Sequence, residues 1–150
     1  MSSPTHTGGT LSSAFDAALA PGPVMAAQDG LSVHAEVVDA DRLGATIRAL
    51  RIEGGDGDIV RQASALPEAV RGALPERLVP VEVDPGLRGV ILRSEPGDMR
   101  GREFYEVRSD GDAVSVERFV ASREGRASTP FTLTRDQLGR LVEGLGRAMR

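Results

Sequence analysis

The feature that most constrains this chain is a rhythm: from Leu31 onward, short runs of alternating apolar and polar residues are cut off at regular intervals by Gly, Pro, Asp and Ser. Leu31, Val33, Ala35 and Val37 alternate with Ser32, His34 and Glu36. A period of two lays one set on the buried face of a strand and the other on its exposed face. Asp39–Gly44 supplies a turn before a second run, Ala45–Glu53, and the two runs pair most simply as a hairpin. Further on, Asp84-Pro85-Gly86 joins Leu78–Val83 to Arg88–Arg93, and Glu95-Pro96-Gly97-Asp98 leads into Glu103–Ser109. Asp110-Gly111 is a hairpin signal ahead of Ala113–Ala121, and Arg123-Glu124-Gly125-Arg126 turns the chain into Pro130–Leu133. The second half therefore reads as an antiparallel meander of four or five strands.

Helical spacing is confined to three places. Thr134-Arg135-Asp136-Gln137 forms a capping box just before Leu138, Leu141, Val142, Leu145 and Met149, which make one apolar stripe. Gly139, Gly144 and Gly146 each cost that helix about 1 kcal/mol relative to Ala, so packing must hold it. In mid-chain, Leu66-Pro67-Glu68 is read as opening a helix that Pro75 ends, with Ala69, Val70, Ala73 and Leu74 on its buried side. Periodicity leaves Ile59–Ala63 open between a strand and the lead-in to that helix. Near the start, Leu11–Ala20 could form a short helix presenting Phe15, Ala18 and Leu19, ended by Pro21-Gly22-Pro23. Residues 1–29 are expected to be a flexible tail, dispensable for folding, because most of that segment lacks apolar density and strand alternation. The expected architecture is a single α+β domain over residues 30–150: a meander-rich antiparallel sheet with a short middle helix and a capped C-terminal helix packed on one face.

The chain's 150 residues are enough for one self-sufficient core. There is no cysteine, which excludes disulfides, thiolate metal sites and Cys nucleophiles and suits a reducing compartment. All 18 basic residues are Arg. Without Lys there is no Schiff base, no pyridoxal phosphate attachment and no Walker A phosphate loop. Abundant Ala, Gly, Arg, Pro and Val also match a GC-rich bacterial genome. Met1–Thr10 lacks the basic and apolar parts of a signal peptide, and no apolar run approaches the roughly 20 residues of a membrane span. The expected location is the cytoplasm, away from membranes.

Formal net charge is −4, unevenly spread. Residues 1–60 hold eight acids against three Arg, whereas residues 86–126 hold eight of each sign. His6 lies in the expected tail and His34 on a polar strand face with Glu36, with no third metal ligand apparent. Asp39-Ala40-Asp41, Asp56-Gly57-Asp58 and Asp110-Gly111-Asp112 space carboxylates by two but lack the later ligands of a calcium loop, so turn formation explains them. No Gly-x-Ser-x-Gly elbow occurs. Glu82, Glu103, Glu106 and Glu117 are the candidates for carboxylate chemistry, but cross-strand pairing with Arg88, Arg93, Arg108 and Arg118 accounts for them more simply. No metal and no cofactor is expected.

The binding candidates are the arginines of the meander, Arg88, Arg93, Arg100, Arg102, Arg108 and Arg118, with Phe104 and Tyr105 available for stacking; Arg123, Arg126 and Phe119 lie in the same region. Several strands, the segment Phe131-Thr132-Leu133-Thr134-Arg135-Asp136-Gln137-Leu138 and a terminal helix resemble, in element order over about the last 50 residues, the single-strand-binding transcriptional coactivator and Whirly fold. That resemblance implies a sheet that binds single strands. The family's basic residues before its last strand are replaced here by Ala127-Ser128-Thr129, and with acids matching the arginines one for one, tight binding of nucleic acid is not expected. Small size and acidity are also similar to secretion chaperones, a resemblance that implies a dimer. The favoured expectation is a non-enzymatic interaction module that presents a sheet face, or the helix bearing Leu138, Leu141, Val142 and Leu145, to a protein partner or a second copy of itself.

Overall fold

The computed structural model describes residues 9–84, 89–94 and 102–150. Its elements run α1 (Leu11–Ala18), β1 (Gly22–Gln28), β2 (Leu31–Ala40), β3 (Gly44–Glu53), α2 (Ile59–Val70), β4 (Leu78–Asp84), β5 (Gly89–Ser94), β6 (Glu103–Ser109), β7 (Ala113–Ser122), β8 (Gly125–Thr129), β9 (Phe131–Thr134) and α3 (Arg135–Met149). The fold is α+β: one antiparallel sheet in the order β1-β2-β3-β7-β6-β5-β4, with β8 beside β7 and β9 beside β3. The strands β4 to β7 are the first four members of the expected meander, but its fifth differs: the expected turn at Arg123–Arg126 opens β8, which pairs with β7, and Phe131–Thr134, expected to continue the meander, pairs with β3 instead.

Sequence alternation maps onto the two faces of this sheet. Val33, Ala35 and Val37 of β2, Val90 and Leu92 of β5 and Val114 and Val116 of β7 are buried, with their neighbours on the other side. In β3 the phase changes: Ala45 and Ile47 point inward, then Leu50 and Ile52. The register explains the change, because Ala49 faces Glu36 and Ile47 faces Val37, leaving Arg48 as an extra residue. Such a bulge shifts the inward set by one while keeping Ala45, Ile47, Leu50 and Ile52 inside. β3 pairs with β7 through Ala49–Glu53 and with β9 through Gly44–Ile47, so the segment β8-Pro130-β9 fills the fork where β3 and β7 part.

The three helices among the described residues cover the same face. α1 lies against β1 and β2, α2 against β4 and β5, and α3 runs between them against β3, β7 and β9. The capping box forms as expected: Gln137 N donates to Thr134 Oγ1 at 3.0 Å and Thr134 N donates to Gln137 Oε1 at 2.9 Å. Leu138, Leu141, Val142, Leu145 and Met149 are buried against the chain's own sheet and helices. Full burial of each such side chain contributes about 1.5–3 kcal/mol.

Two expectations give way. The expected tail is part of the body from at least Gly9 on: Leu11 and Phe15 are each 1% exposed, and β1 pairs with β2 along its whole length. Residues 1–8, with His6, lie outside the described residues. The middle helix opens at Asp58, whose carboxylate accepts from Arg61 N at 3.0 Å, and Pro67 falls in its last turn rather than its first. Its buried side is Ile59, Gln62, Leu66 and Val70, with Ala73 and Leu74 buried just beyond its end. Gln62, a polar residue at a core position, is fully satisfied. Its Nε2 donates to Asp56 Oδ1 at 3.0 Å and Gly111 O at 2.9 Å, and its Oε1 accepts from Ser109 Oγ at 2.7 Å. This network ties the start of α2 to the β6–β7 turn, and Arg61 adds a bond from Nη2 to Ala148 O at the end of α3.

Candidate binding face

Three helices on one face leave the other face of the sheet without a helix among the described residues, and register decides what collects there. Glu106 of β6 lies opposite Arg93 of β5 and Glu117 of β7, Arg108 opposite Ser115, and Phe104 opposite Phe119. Because side chains alternate, Phe104, Glu106 and Arg108 point to the open face, whereas Tyr105, Val107 and Ser109 point to the core. Arg126 of β8 reaches the same place from beyond β7.

Glu106 is the centre. Its side chain is only 4% exposed, and three guanidiniums converge on it. Arg126 grips it in fork geometry, Nη1 to Oε1 at 2.8 Å and Nη2 to Oε2 at 3.1 Å; Arg93 Nε donates to Oε1 at 2.8 Å and Arg108 Nη2 to Oε2 at 3.3 Å. Burial pushes the carboxyl pKa up, but hydrogen bonds from Arg126 and Arg93 outweigh it, and the pKa falls below the ordinary glutamate value. The hydrogen bond to Glu106 in turn raises Arg126, and the charge of Glu117, opposite Glu106 in register, raises it further.

Beside this knot lie two rings. Phe104 and Phe119 have centroids 5.7 Å apart and are tilted by 34°. The Arg126 guanidinium sits 4.1 Å above the Phe119 centroid and that of Arg93 6.0 Å from the Phe104 centroid. Each contact is of the cation–π kind, which orients the guanidinium without consuming its N–H donors. Among the described residues, and counting Glu117, three cations and two carboxylates leave this patch with one excess positive charge in an acidic chain.

The remaining binding candidates go elsewhere. Tyr105 and Arg118 belong to the helix-covered side: Tyr105 packs edge-on against Phe131 at 5.3 Å, and Arg118 lies 4.5 Å over the Tyr105 ring while bonding Glu103 at 3.0 Å and Glu76 at 3.1 Å. Burial raises the Tyr105 pKa. Both act as packing and pairing groups between β6, β7 and the segment before β4. Arg102 is exposed in the turn before β6, at φ 52°. Arg88 and Arg100 lie outside the described residues. Among the expected candidates, then, Arg93, Phe104 and Arg108 come together, and Glu106, Phe119 and Arg126 complete the group. Leu138, Leu141, Val142 and Leu145 form the core beneath the sheet, so the C-terminal helix presents no apolar stripe to a partner.

Other polar groups have local roles. Asp41 accepts from Leu43 N and Gly44 N, which lowers its pKa, and Asp110 accepts from Asp112 N and Ala113 N. The hydrogen bond from Asp58 N likewise lowers Asp56. His34 Nε2 lies 3.2 Å from Ser32 Oγ and 3.4 Å from Glu53 Oε1. Among the described residues no group of three His, Asp or Glu is placed to hold a metal ion, and no helix is long and apolar enough to cross a membrane. Compared with protein families, curated proteins and solved structures, the chain matches none.

Proposed function

We propose that this chain is a non-enzymatic protein-interaction module whose open sheet face takes an acidic, apolar-bearing segment of a partner at Arg93, Arg108 and Arg126, beside Phe104 and Phe119. The observation that carries the reading is the knot around Glu106. A buried carboxylate holds three arginines in place on a face that no helix among the described residues covers, and two aromatic rings lie within reach of the same ligand. Fixed guanidiniums give up less side-chain entropy when a carboxylate docks than free ones do.

Carboxylate catalysis is supported less well. It calls for two acids free of arginine partners, whereas Glu106 is bound by three and Glu103 by Arg118. Single strands are also supported less well, because a chain of net charge −4 repels polyphosphate at a distance. The secretion-chaperone likeness of size and acidity fits a module that binds protein but favours no particular surface.

Titration of isotope-labelled protein with a peptide of alternating Glu and Leu, and separately with oligothymidine, tests the reading. The peptide is expected to shift amide signals of β5, β6, β7 and β8, with Arg108→Glu weakening it by about tenfold, as loss of a charge-assisted contact does. Peptide shifts confined to the helices, or none, overturn the proposal. Tight oligothymidine binding that falls steeply with salt favours the nucleic-acid reading instead.

A further inference from the structure

A sheet has margins as well as faces, and here they are protected unequally. At the β4 margin the ladder is interrupted by a bulge at Val81, between Pro80 and Glu82, and the strand carries Glu82 and Asp84. These are the usual means of keeping one sheet from pairing with another. The β1 margin has almost none of them. Its pairing with β2 is regular, and no residue from Ala17 to Gln28 is charged.

Which main-chain groups β1 leaves outward follows from its hairpin. Asp29 and Gly30 both have positive φ, 54° and 83°, and Gln28 pairs with Leu31, which defines a two-residue turn of the I′ kind. Such a turn makes its flanking pair mutually hydrogen-bonded, so Gln28, Ala26 and Val24 turn their amides toward β2. Pro23, Met25 and Ala27 therefore turn theirs away from the sheet. Pro23 offers only a carbonyl; Met25 and Ala27 each offer an N–H and a carbonyl. Among the described residues β1 has no strand on that side. Met25, at 60% exposure, also holds its side chain out on the open face beside this margin.

Above the margin lies α1. Its Ser12 N donates to Glu143 of α3 at 3.0 Å and its Asp16 binds Arg135 of α3 at 2.7 Å, which fixes the side that looks toward the centre of the sheet. At 100° per residue the opposite flank, overhanging β1, is Ala14, Ala17 and Ala18. An all-alanine flank lets another helix approach closely.

We propose that β1 pairs with β1 of a second copy of this chain across a two-fold axis, joining two sheets into one, with the alanine flanks of the two α1 helices closing over the seam. Self-pairing suits a strand of this composition because a two-fold interface sets a strand against itself, and only an uncharged strand escapes self-repulsion. β4, with Glu82 and Asp84, does not. A strand edge alone falls short of the roughly 1,200–2,000 Å² that a stable interface buries, which is why the helix flank belongs to it. An extended peptide would satisfy the edge but leave the alanine flank without a use. The two-fold stands perpendicular to the joined sheet, so both open faces look the same way and the dimer presents its arginine knot twice. The pairing itself does not depend on what that knot binds.

The test uses the full chain in sedimentation and light scattering over about a hundredfold range of concentration. The wild type is expected to reach the mass of a dimer. Met25→Lys, which sets two cations in the seam at a position exposed in the single chain, is expected to be a monomer with an unchanged circular dichroism spectrum. Because the chain has no cysteine, Met25→Cys reports proximity directly: mild oxidation is expected to give a covalent dimer, whereas Val81→Cys at the other margin gives none. A wild type monomeric at the highest concentration, a dimer that survives Met25→Lys, or a dimer that crosslinks through Val81→Cys and not Met25→Cys overturns the proposal. None of these outcomes bears on the peptide titration, so the two proposals fail separately.

Discussion

Strands β5 to β7 carry alternating residues to two surfaces that handle polar groups in opposite ways. Toward the helices, Val90, Leu92, Val107, Val114 and Val116 exclude water almost completely, and Ser109, the polar residue among them, is bonded on every side by Gln62 and Gly111. Toward the open face, Arg93, Glu106, Arg108 and Glu117 carry charge, and only Glu106 among them is buried. The covered face carries most of the apolar burial that holds the fold together; on the open face the stabilising contacts gather around Glu106. What the contrast teaches is where changes ought to hurt, and by how much.

The largest effect is expected at the N-terminus, where α1 and β1 close one end of the covered face. Deleting residues 1–29 removes Leu11 and Phe15 from the core and exposes the β2 edge and the apolar surface beneath α1. Loss of cooperative thermal unfolding is expected in circular dichroism. A melting temperature within a few degrees of the wild type would mean that the covered face does not need this end. Next comes Leu141, fully buried where α3 meets the sheet. Leu141→Ala is expected to cost about 2–5 kcal/mol in urea denaturation. Arg140→Ala, one residue earlier and paired with Asp136 at the surface, is expected to cost under about 0.5 kcal/mol.

The parts of this contrast that were legible in the sequence are those set by local signals. The capping box fixed the start of α3 within its own four residues, and Asp110-Gly111 placed the β6–β7 hairpin. What failed needed knowledge of distant neighbours. β1 hides because Met25 and Ala27 on its open side are as apolar as Val24 and Ala26 on its covered side, so alternation gives no contrast, and Pro23 reads as a breaker although its missing N–H costs nothing on an outward-facing edge. α2 hides because Gln62 interrupts the apolar spacing of Ile59, Leu66 and Val70; only the β6–β7 turn explains how glutamine can sit there. The arginine knot lies between these extremes. Its arginines were visible as residues, but which of them meet depends on β5, β6 and β7 registers and on β8, a strand the turn-like sequence Arg123-Glu124-Gly125-Arg126 concealed.

On the open face a smaller but pH-dependent effect is expected. Glu106→Gln leaves three guanidiniums around an amide whose own N–H₂ cannot accept from them, at a cost of about 1–3 kcal/mol near neutrality, moderated because the arginines are partly solvated. The Glu106 pKa is lowered in the folded chain, so its contribution is present above the unfolded value of about 4.3 and is lost as pH falls through the lower folded value. The wild type and Glu106→Gln are therefore expected to differ at pH 7 and to converge in acid. A difference that stays constant through that range would mean that the carboxylate's charge is not what organises the knot.

The smallest expected effect separates two glycines of the same helix. Gly144 lies where α3 crosses α2, and a Cβ there would come within 2.4 Å of Ala69 O, a main-chain atom that cannot move without moving α2. The absence of a side chain is what lets the two helices approach so closely. Gly139 has no such neighbour: a Cβ there meets nothing within 4 Å. Gly139→Ala is therefore expected to stabilise the fold by up to about 1 kcal/mol, the helix propensity gained, read as a higher urea midpoint with an unchanged slope. Gly144→Ala is expected to lower the midpoint despite the same gain in propensity, because the clash with Ala69 outweighs it. If both substitutions raised the midpoint, the α2–α3 crossing would be looser than the packed layer requires, and the covered face would lose its claim to be the rigid one.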